Sequence, residues 1–325
     1  MCPMEGGADA NLTAFRSLSR QPGRGVDRLS YGPPPRCAAV PYAHPEYLIS
    51  PDELAGDLEG RRVLDATVIF APTPDGGFSV ESGLARFDEG HIPGAQFLDL
   101  VNDASDSSSD LGFTLPPVPQ LEALFRRLGI SNDTEVVVYS RELIALATRA
   151  WWLLHYCGHR HARVLDGGLE AWQAAGHPLS TEPASYPPGD FEARPNPSLF
   201  ANRDEVLAAI GEPDVRTVNS LSPEDFAGEG AFSMGRPGRI PGSINLFFAD
   251  LLEDGRFKDD AALRQALDAK GLLSAPRVIN YCAVGVTATI DAFACLLCGQ
   301  EDVALYDGSL SEWARDESLP METGR

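Results

Sequence analysis

The sequence predicts an α/β fold made twice over: two domains, each a mostly parallel central sheet flanked by helices. Three observations carry this reading. Landmarks recur at one spacing, with Asp166 and Asp307, and likewise Trp172 and Trp313, 141 positions apart. Solenoid repeats are far shorter, so this period marks a duplicated domain. Within each copy, short apolar runs alternate with helical patterns joined by short links, which implies strands in parallel with crossover helices.

The first copy reads "RRVLDATVIF", "GHIPGAQFLDL", "EVVVYSRELIALATRAWWLLHYCG" and "ARVLDGGLEAWQAAGHPL"; the second reads "VRTVNSLSPEDF", "GRIPGSINLFFADL", "PRVINYCAVGVTATIDAFACLLCG" and "VALYDGSLSEWARDESLPM". "VVVYS" and "RVINY" are β-rich runs without alternation, as expected of strands buried on both faces. "ALATRAWWLLHYCG" and "TATIDAFACLLCG" read as buried helices stopped at Gly158 and Gly299. "ARVLDGG" and "VALYDGS" are further strands, each leading into a short helix that carries a core Trp. Five prolines and no periodicity mark residues 180–198 as a linker. The expected organisation is an N-terminal domain over 44–179, this linker, and a C-terminal domain over 199–325. The acidic stretch 102–119 reads as an exposed loop able to cover a cleft.

Residues 1–43 differ from the rest. Arg16, Arg20, Arg24, Arg28 and Arg36 give part of an organellar targeting composition, but Glu5, Asp9, Asp27 and two Gly-rich stretches weigh against it. A disordered extension is expected there, and cytoplasmic localisation for the protein. A formal net charge of -21 excludes nucleic acid and anionic membrane surfaces as partners. No apolar run is long enough to span a bilayer. Cys2, Cys37, Cys157, Cys282, Cys295 and Cys298 do not form a secreted disulfide pattern, which points to a reducing compartment.

The chemistry concentrates at "NYCAVGVTATIDAF", where a strand hands over to a helix. A cysteine there has its thiolate favoured by the helix dipole and by backbone amides. Ala283, Val284, Gly285 and Val286 have no side chains that compete for hydrogen bonds, so the N–H groups of Ala283, Val284, Gly285, Val286 and Thr287 are free to cradle an anion. Gly285 permits a tight curve, and the Thr287 hydroxyl is placed to cap the helix. Such a loop makes a nucleophile and stabilises the negative atom it carries. A buried, inert thiol is the other reading of this local pattern.

Taken with "GHIPGA", "RIPGS", "VLDGGLEAW" and "YDGSLSEW", the stretch "CAVGVTA" resembles the tandem-domain rhodaneses, the thiosulfate and 3-mercaptopyruvate sulfurtransferases, over roughly residues 48–325. The resemblance implies that Cys282 is the nucleophile and that Ser140, at the matching place in the first copy, marks a catalytically silent domain. It implies a sulfurtransferase that takes sulfur from thiosulfate or 3-mercaptopyruvate onto Cys282 as a persulfide, then passes it to cyanide, a small thiol or a protein acceptor. No metal or organic cofactor is implied. The resemblance breaks at Ala283 and Val284, where thiosulfate-type loops carry cations and mercaptopyruvate-type loops carry glycine and a small hydroxyl residue. It breaks again at Asp225, where an arginine is common. Arg236 and Arg239 are the substitute cations, and at least one is expected to face the cleft.

The remaining features read as structural. "CLLC" lies late in a helix and suits core packing. The cluster His155, Cys157, His159 and His161 lacks a second ligand group of zinc spacing. His91 is a loop residue, and Asp65 and Asp166 are strand-end acids bonding to loop amides. Trp151 and Trp152 supply at least one core side chain. A phosphatase or arsenate reductase on the same fold would need a loop arginine that is missing after Cys282. A non-catalytic sulfur carrier or interaction module is the third class.

Overall fold

The computed structural model describes residues 42–72, 78–182, 184–230 and 233–324. The expected N-terminal extension therefore lies outside the described residues, except for Tyr42 and Ala43. These two are anchored: the Tyr42 hydroxyl donates to the Lys258 carbonyl (2.5 Å) and the Ala43 N–H to that of Leu297 (2.8 Å).

Two five-stranded parallel sheets have the same topology. The first runs Leu48–Ile49, Ala162–Leu165, Glu135–Tyr139, Arg61–Asp65, Ala95–Phe97. The second, in the equivalent direction, runs Phe200–Ala201, Val303–Tyr306, Arg277–Tyr281, Val215–Asn219, Ile244–Asn245. The apolar runs form the central strands because both their faces are covered: Val136, Val137, Val138 and Tyr139 are all fully buried. One face of each sheet packs on its short Trp helix. Trp172 and Trp313 are buried there, and their indole N–H groups donate to the Pro178 and Pro320 carbonyls.

The other faces share a single core. The helix Ile144–Tyr156 is buried at all thirteen residues and Ala288–Leu297 at all ten, and they pack on each other across the domain boundary. Thr148 and Thr289, one repeat apart, meet there through their hydroxyls (2.7 Å), so an approximate two-fold axis passes between them. Trp151 packs edge-on against Phe293. Gly158 and Gly299, both at positive φ, end these helices. Each lets the next residue donate back to the last turn, His159 to Leu154 and Gln300 to Cys295.

The recurring "IPG" loops also have a cause. The Tyr139 and Tyr281 hydroxyls accept the N–H groups of Ile92 and Ile240 (3.2 and 3.1 Å). His91 and Arg239, just before, form matching antiparallel bridges to Ser180 and Glu322, strapping down the end of each domain. The strand-end acids then cross the boundary. Asp166 accepts the Phe257 N–H (3.0 Å), and Asp307 accepts the Leu115 N–H (2.5 Å). The acidic loop 102–119 is thus tied to the second domain beside the Cys282 loop.

Candidate active site

Cys282 follows the strand Arg277–Tyr281 at its carboxyl end, and the next helix begins at Ala288. Its residue is 1% exposed, whereas Ala283, Val284 and Thr287 are half-buried. These three are the partly exposed residues flanking the buried sulfur. The cavities of about 350 Å³ beside Pro241 and about 500 Å³ beside Asp307 do not open on it.

The start of the loop is stapled in place. The Cys282 N–H donates to Ser309 Oγ (3.1 Å), the Leu310 N–H to the Cys282 carbonyl (3.1 Å), and the Ser311 N–H to the Ala283 carbonyl (2.9 Å). Beyond this staple the chain curves. Gly285 sits at φ +73°, with the Asp307 carbonyl 2.7 Å from where a Cβ would stand. Among the described residues, none of the five N–H groups from Ala283 to Thr287 donates to a protein acceptor. The Thr287 Oγ1 is buried without a partner. Thr287 has helical angles and does not cap the helix, a correction to the sequence reading.

The first copy makes the opposite use of the same place. Its helix starts four residues after Ser140 rather than six after Cys282, at Ile144. The shorter loop has its amides occupied: Arg141 N–H donates to Thr67 Oγ1 (3.1 Å), Glu142 N–H to Glu170 Oε1 (3.1 Å) and Leu143 N–H to the Arg141 carbonyl (2.6 Å). Ser140 itself donates to the Leu143 carbonyl (2.8 Å). A run of amides without a protein acceptor in a partly buried loop suits an anionic ligand. Only the second copy has one in this loop.

The structure does not bring Arg236 or Arg239 to this loop, and the expectation that one of them faces the cleft is corrected. Arg236 donates to the carbonyls of Trp313, Ala314, Asp316 and Leu319, closing the end of the short helix. Arg239 lies over the Phe226 ring, pairs with Glu322 and donates to the Gly324 carbonyl (2.5 Å). Both guanidinium groups hold the C-terminal segment. Asp225 accepts the Ser222 hydroxyl at a helix start (2.7 Å).

A different arginine is present. Arg149, from the first domain and 1% exposed, donates to Asp307 Oδ1 (2.6 Å), to the Gly285 carbonyl (3.3 Å) and to the Phe113 carbonyl. The sequence reading passed over it because it lies inside the helical run "ALATRAWW". The usable signal was its charge, since a cation in a fully apolar helix needs a partner. Ser309 was missed as well. It replaces Gly168 of the first copy and supplies the hydroxyl that fixes the Cys282 N–H.

The other described thiols have no such surroundings. Burial pushes Cys157 up to about 12, Cys298 up to about 11 and Cys295 well above the ordinary thiol value. Cys295 and Cys298 are both core residues. His155 stacks on Trp151, and burial lowers it to about 4.

Asp291, one turn into the helix after the loop, is fully buried. It accepts the Ser220 hydroxyl at Oδ2 (2.7 Å), while Oδ1 has no partner among the described residues. Burial raises its carboxyl well above the usual range, and the nearby Asp250 adds to this. As pH rises past about 4, the unfolded chain loses this proton while the folded one keeps it, so stability falls with rising pH. Asp291→Asn keeps the Ser220 bond and removes the ionisation. The variant should match the parent near pH 4 and become progressively the more stable of the two as pH rises to 8, measured by urea unfolding across that range. A constant difference at all pH values contradicts this.

Comparison with known proteins agrees with the repeat. The model of the rhodanese-like domain matches twice, over residues 50–175 and 202–316. The chicken thiosulfate sulfurtransferase is 35% identical over 78% of this chain and 86% of its own length. A probable 3-mercaptopyruvate sulfurtransferase of Pseudomonas aeruginosa is 38% identical over 74% of this chain and 87% of its own. The crystal structure of SseA from Escherichia coli, described as a 3-mercaptopyruvate sulfotransferase, superposes with a TM-score of 0.72 at 28% identity, covering 81% of this chain and 98% of that one.

Proposed function

The chain belongs to the rhodanese family of sulfurtransferases, with two rhodanese-like domains in tandem, and on that premise we propose that it moves the outer sulfur of thiosulfate through a Cys282 persulfide to a thiophilic acceptor. The observation that carries the proposal is the run of unpaired amides from Ala283 to Thr287 following a buried cysteine, set against the occupied loop of the first copy.

In the first step the Cys282 thiolate attacks the outer sulfur of thiosulfate. A new S–S bond forms, the donor's S–S bond breaks, and sulfite leaves with the bonding electrons. In the second step cyanide or a thiolate attacks the terminal sulfur of the persulfide, and the Cys282 thiolate is released. Negative charge sits on sulfur before and after each transfer, so a ring of amides serves both states without rearranging. The steps need neither metal nor organic cofactor.

Ala283 and Val284 carry no charge, and Arg236 and Arg239 are occupied elsewhere. A dianionic donor then meets an acidic protein with little local compensation, which favours 3-mercaptopyruvate, a less charged donor, as the second reading. Initial rates with thiosulfate and cyanide both varied should give parallel double-reciprocal lines, with sulfite and thiocyanate formed in equal amounts. Intersecting lines contradict a persulfide intermediate. A kcat/KM for 3-mercaptopyruvate more than about tenfold above that for thiosulfate, or about 1.4 kcal/mol, moves the donor to the second reading.

A further inference from the structure

The geometry points to Arg149 as a positioning residue by which the first domain aims the amides of the Cys282 loop. The inference rests on Cys282 being the sulfur carrier.

Arg149 is buried in the helix Ile144–Tyr156 and touches three segments at once: Asp307 at a strand end, the Gly285 carbonyl in the loop, and the Phe113 carbonyl in the acidic loop. A planar guanidinium has donors enough, in a fixed fork spread over three nitrogens, to do this; a lysine ammonium puts its three donors on one compact nitrogen and lacks that fork. The contact with Gly285 matters for the next peptide unit. In a trans peptide the carbonyl and the following N–H point in opposite directions. Arg149 draws the Gly285 carbonyl toward the first domain, so the Val286 N–H is turned away from that domain, toward the inside of the loop.

The next carbonyl is held from within the second domain. Val286 O accepts the Thr289 hydroxyl (2.7 Å), and that oxygen is in turn within bonding distance of Thr148 (2.7 Å), the neighbour of Arg149. The Gly285 carbonyl is therefore held from the first domain and the Val286 carbonyl by the second domain's own Thr289, through its hydroxyl and its N–H (3.0 Å), and the N–H groups of Val286 and Thr287 are left for the sulfur. Gly285, at positive φ against the Asp307 carbonyl, is the bend that permits this. Asp307 balances the Arg149 charge and also takes the Leu115 N–H (2.5 Å). Helix, acidic loop and sulfur-carrying loop thus meet at one ion pair, and the domain without a nucleophile supplies the support for the other domain's chemistry.

Two variants test this. Arg149→Met removes the charge and the fork. Arg149→Lys keeps a cation for Asp307 but loses the simultaneous hold on Gly285 and Phe113. The readouts are the rate of Cys282 alkylation by iodoacetamide against pH, kcat and KM for thiosulfate, and the melting temperature. Both variants should show kcat lowered by about tenfold to a hundredfold, with KM changed far less, and an alkylation profile displaced to higher pH. If Arg149→Lys keeps the parent's kcat and alkylation profile, only the ion pair matters and the inference is overturned. Should Arg149→Met not fold, Arg149→Lys decides. Intact-mass analysis after thiosulfate treatment separates the two claims. Failure of Cys282 to take sulfur in the parent removes the proposed function. A sulfurated Cys282 with unchanged Arg149→Lys kinetics removes only the role of Arg149.

Discussion

Cys282→Ser should abolish sulfur transfer while leaving the fold in place. A hydroxyl of nearly the same size replaces the thiol, so the staple to Ser309, Leu310 and Ser311 is kept, since it uses backbone groups on the Cys282 side. The serine oxygen can accept from the same free loop amides, so the fold is retained. Turnover has no substitute route. An alcohol at this place is a far weaker nucleophile than a thiolate, and Cys157, Cys295 and Cys298 are buried thiols held protonated by their surroundings. Thiocyanate formation should drop by at least about a thousandfold, with one cooperative thermal transition retained. Full activity in the serine variant would place the chemistry elsewhere.

Gly285→Ala should be the most damaging change that leaves the nucleophile untouched. The residue lies at φ +73°, where a side chain is strained, and its Cβ would come within 2.7 Å of the Asp307 carbonyl, a backbone atom that cannot step aside cheaply. The strain alone costs about 1–3 kcal/mol. Relief requires the 285 peptide to rotate, and rotation re-aims the Val286 N–H. Loss of a single preorganised donor costs roughly a hundredfold or more in kcat, so the variant should combine a modest fall in melting temperature with a much larger fall in turnover. A variant that loses stability but turns over normally would show that this peptide does not face the reacting sulfur.

The sequence disclosed the fold well because its signals were local and came twice. Uninterrupted β-rich runs, glycine helix stops and the paired Asp and Trp positions each have a physical cause that the second copy repeats. The small residues of the Cys282 loop were legible for a similar reason, since side chains that make no hydrogen bonds leave amides free. Long-range partners were not legible. Arg149 and Asp307 are 158 positions apart, and no pattern within either segment names the other. Arg236 and Arg239 were misassigned by treating charge in a cleft-forming loop as charge for a substrate. The register of the repeat argued otherwise, since Arg239 stands where His91 straps the first domain to Ser180. Asp291 shows the same limit: its neighbour Ser220 comes from an adjacent strand end that only folding brings near.

The central claim is that Cys282, set in its ring of amides, is the atom that carries sulfur. Incubation with thiosulfate followed by intact-mass and peptide mass analysis, before and after cyanide, tests it most directly. The account predicts a gain of one sulfur atom on the peptide containing Cys282, discharged by cyanide and missing in Cys282→Ser. Sulfur found on another cysteine, or a gain that persists in the serine variant, would contradict it.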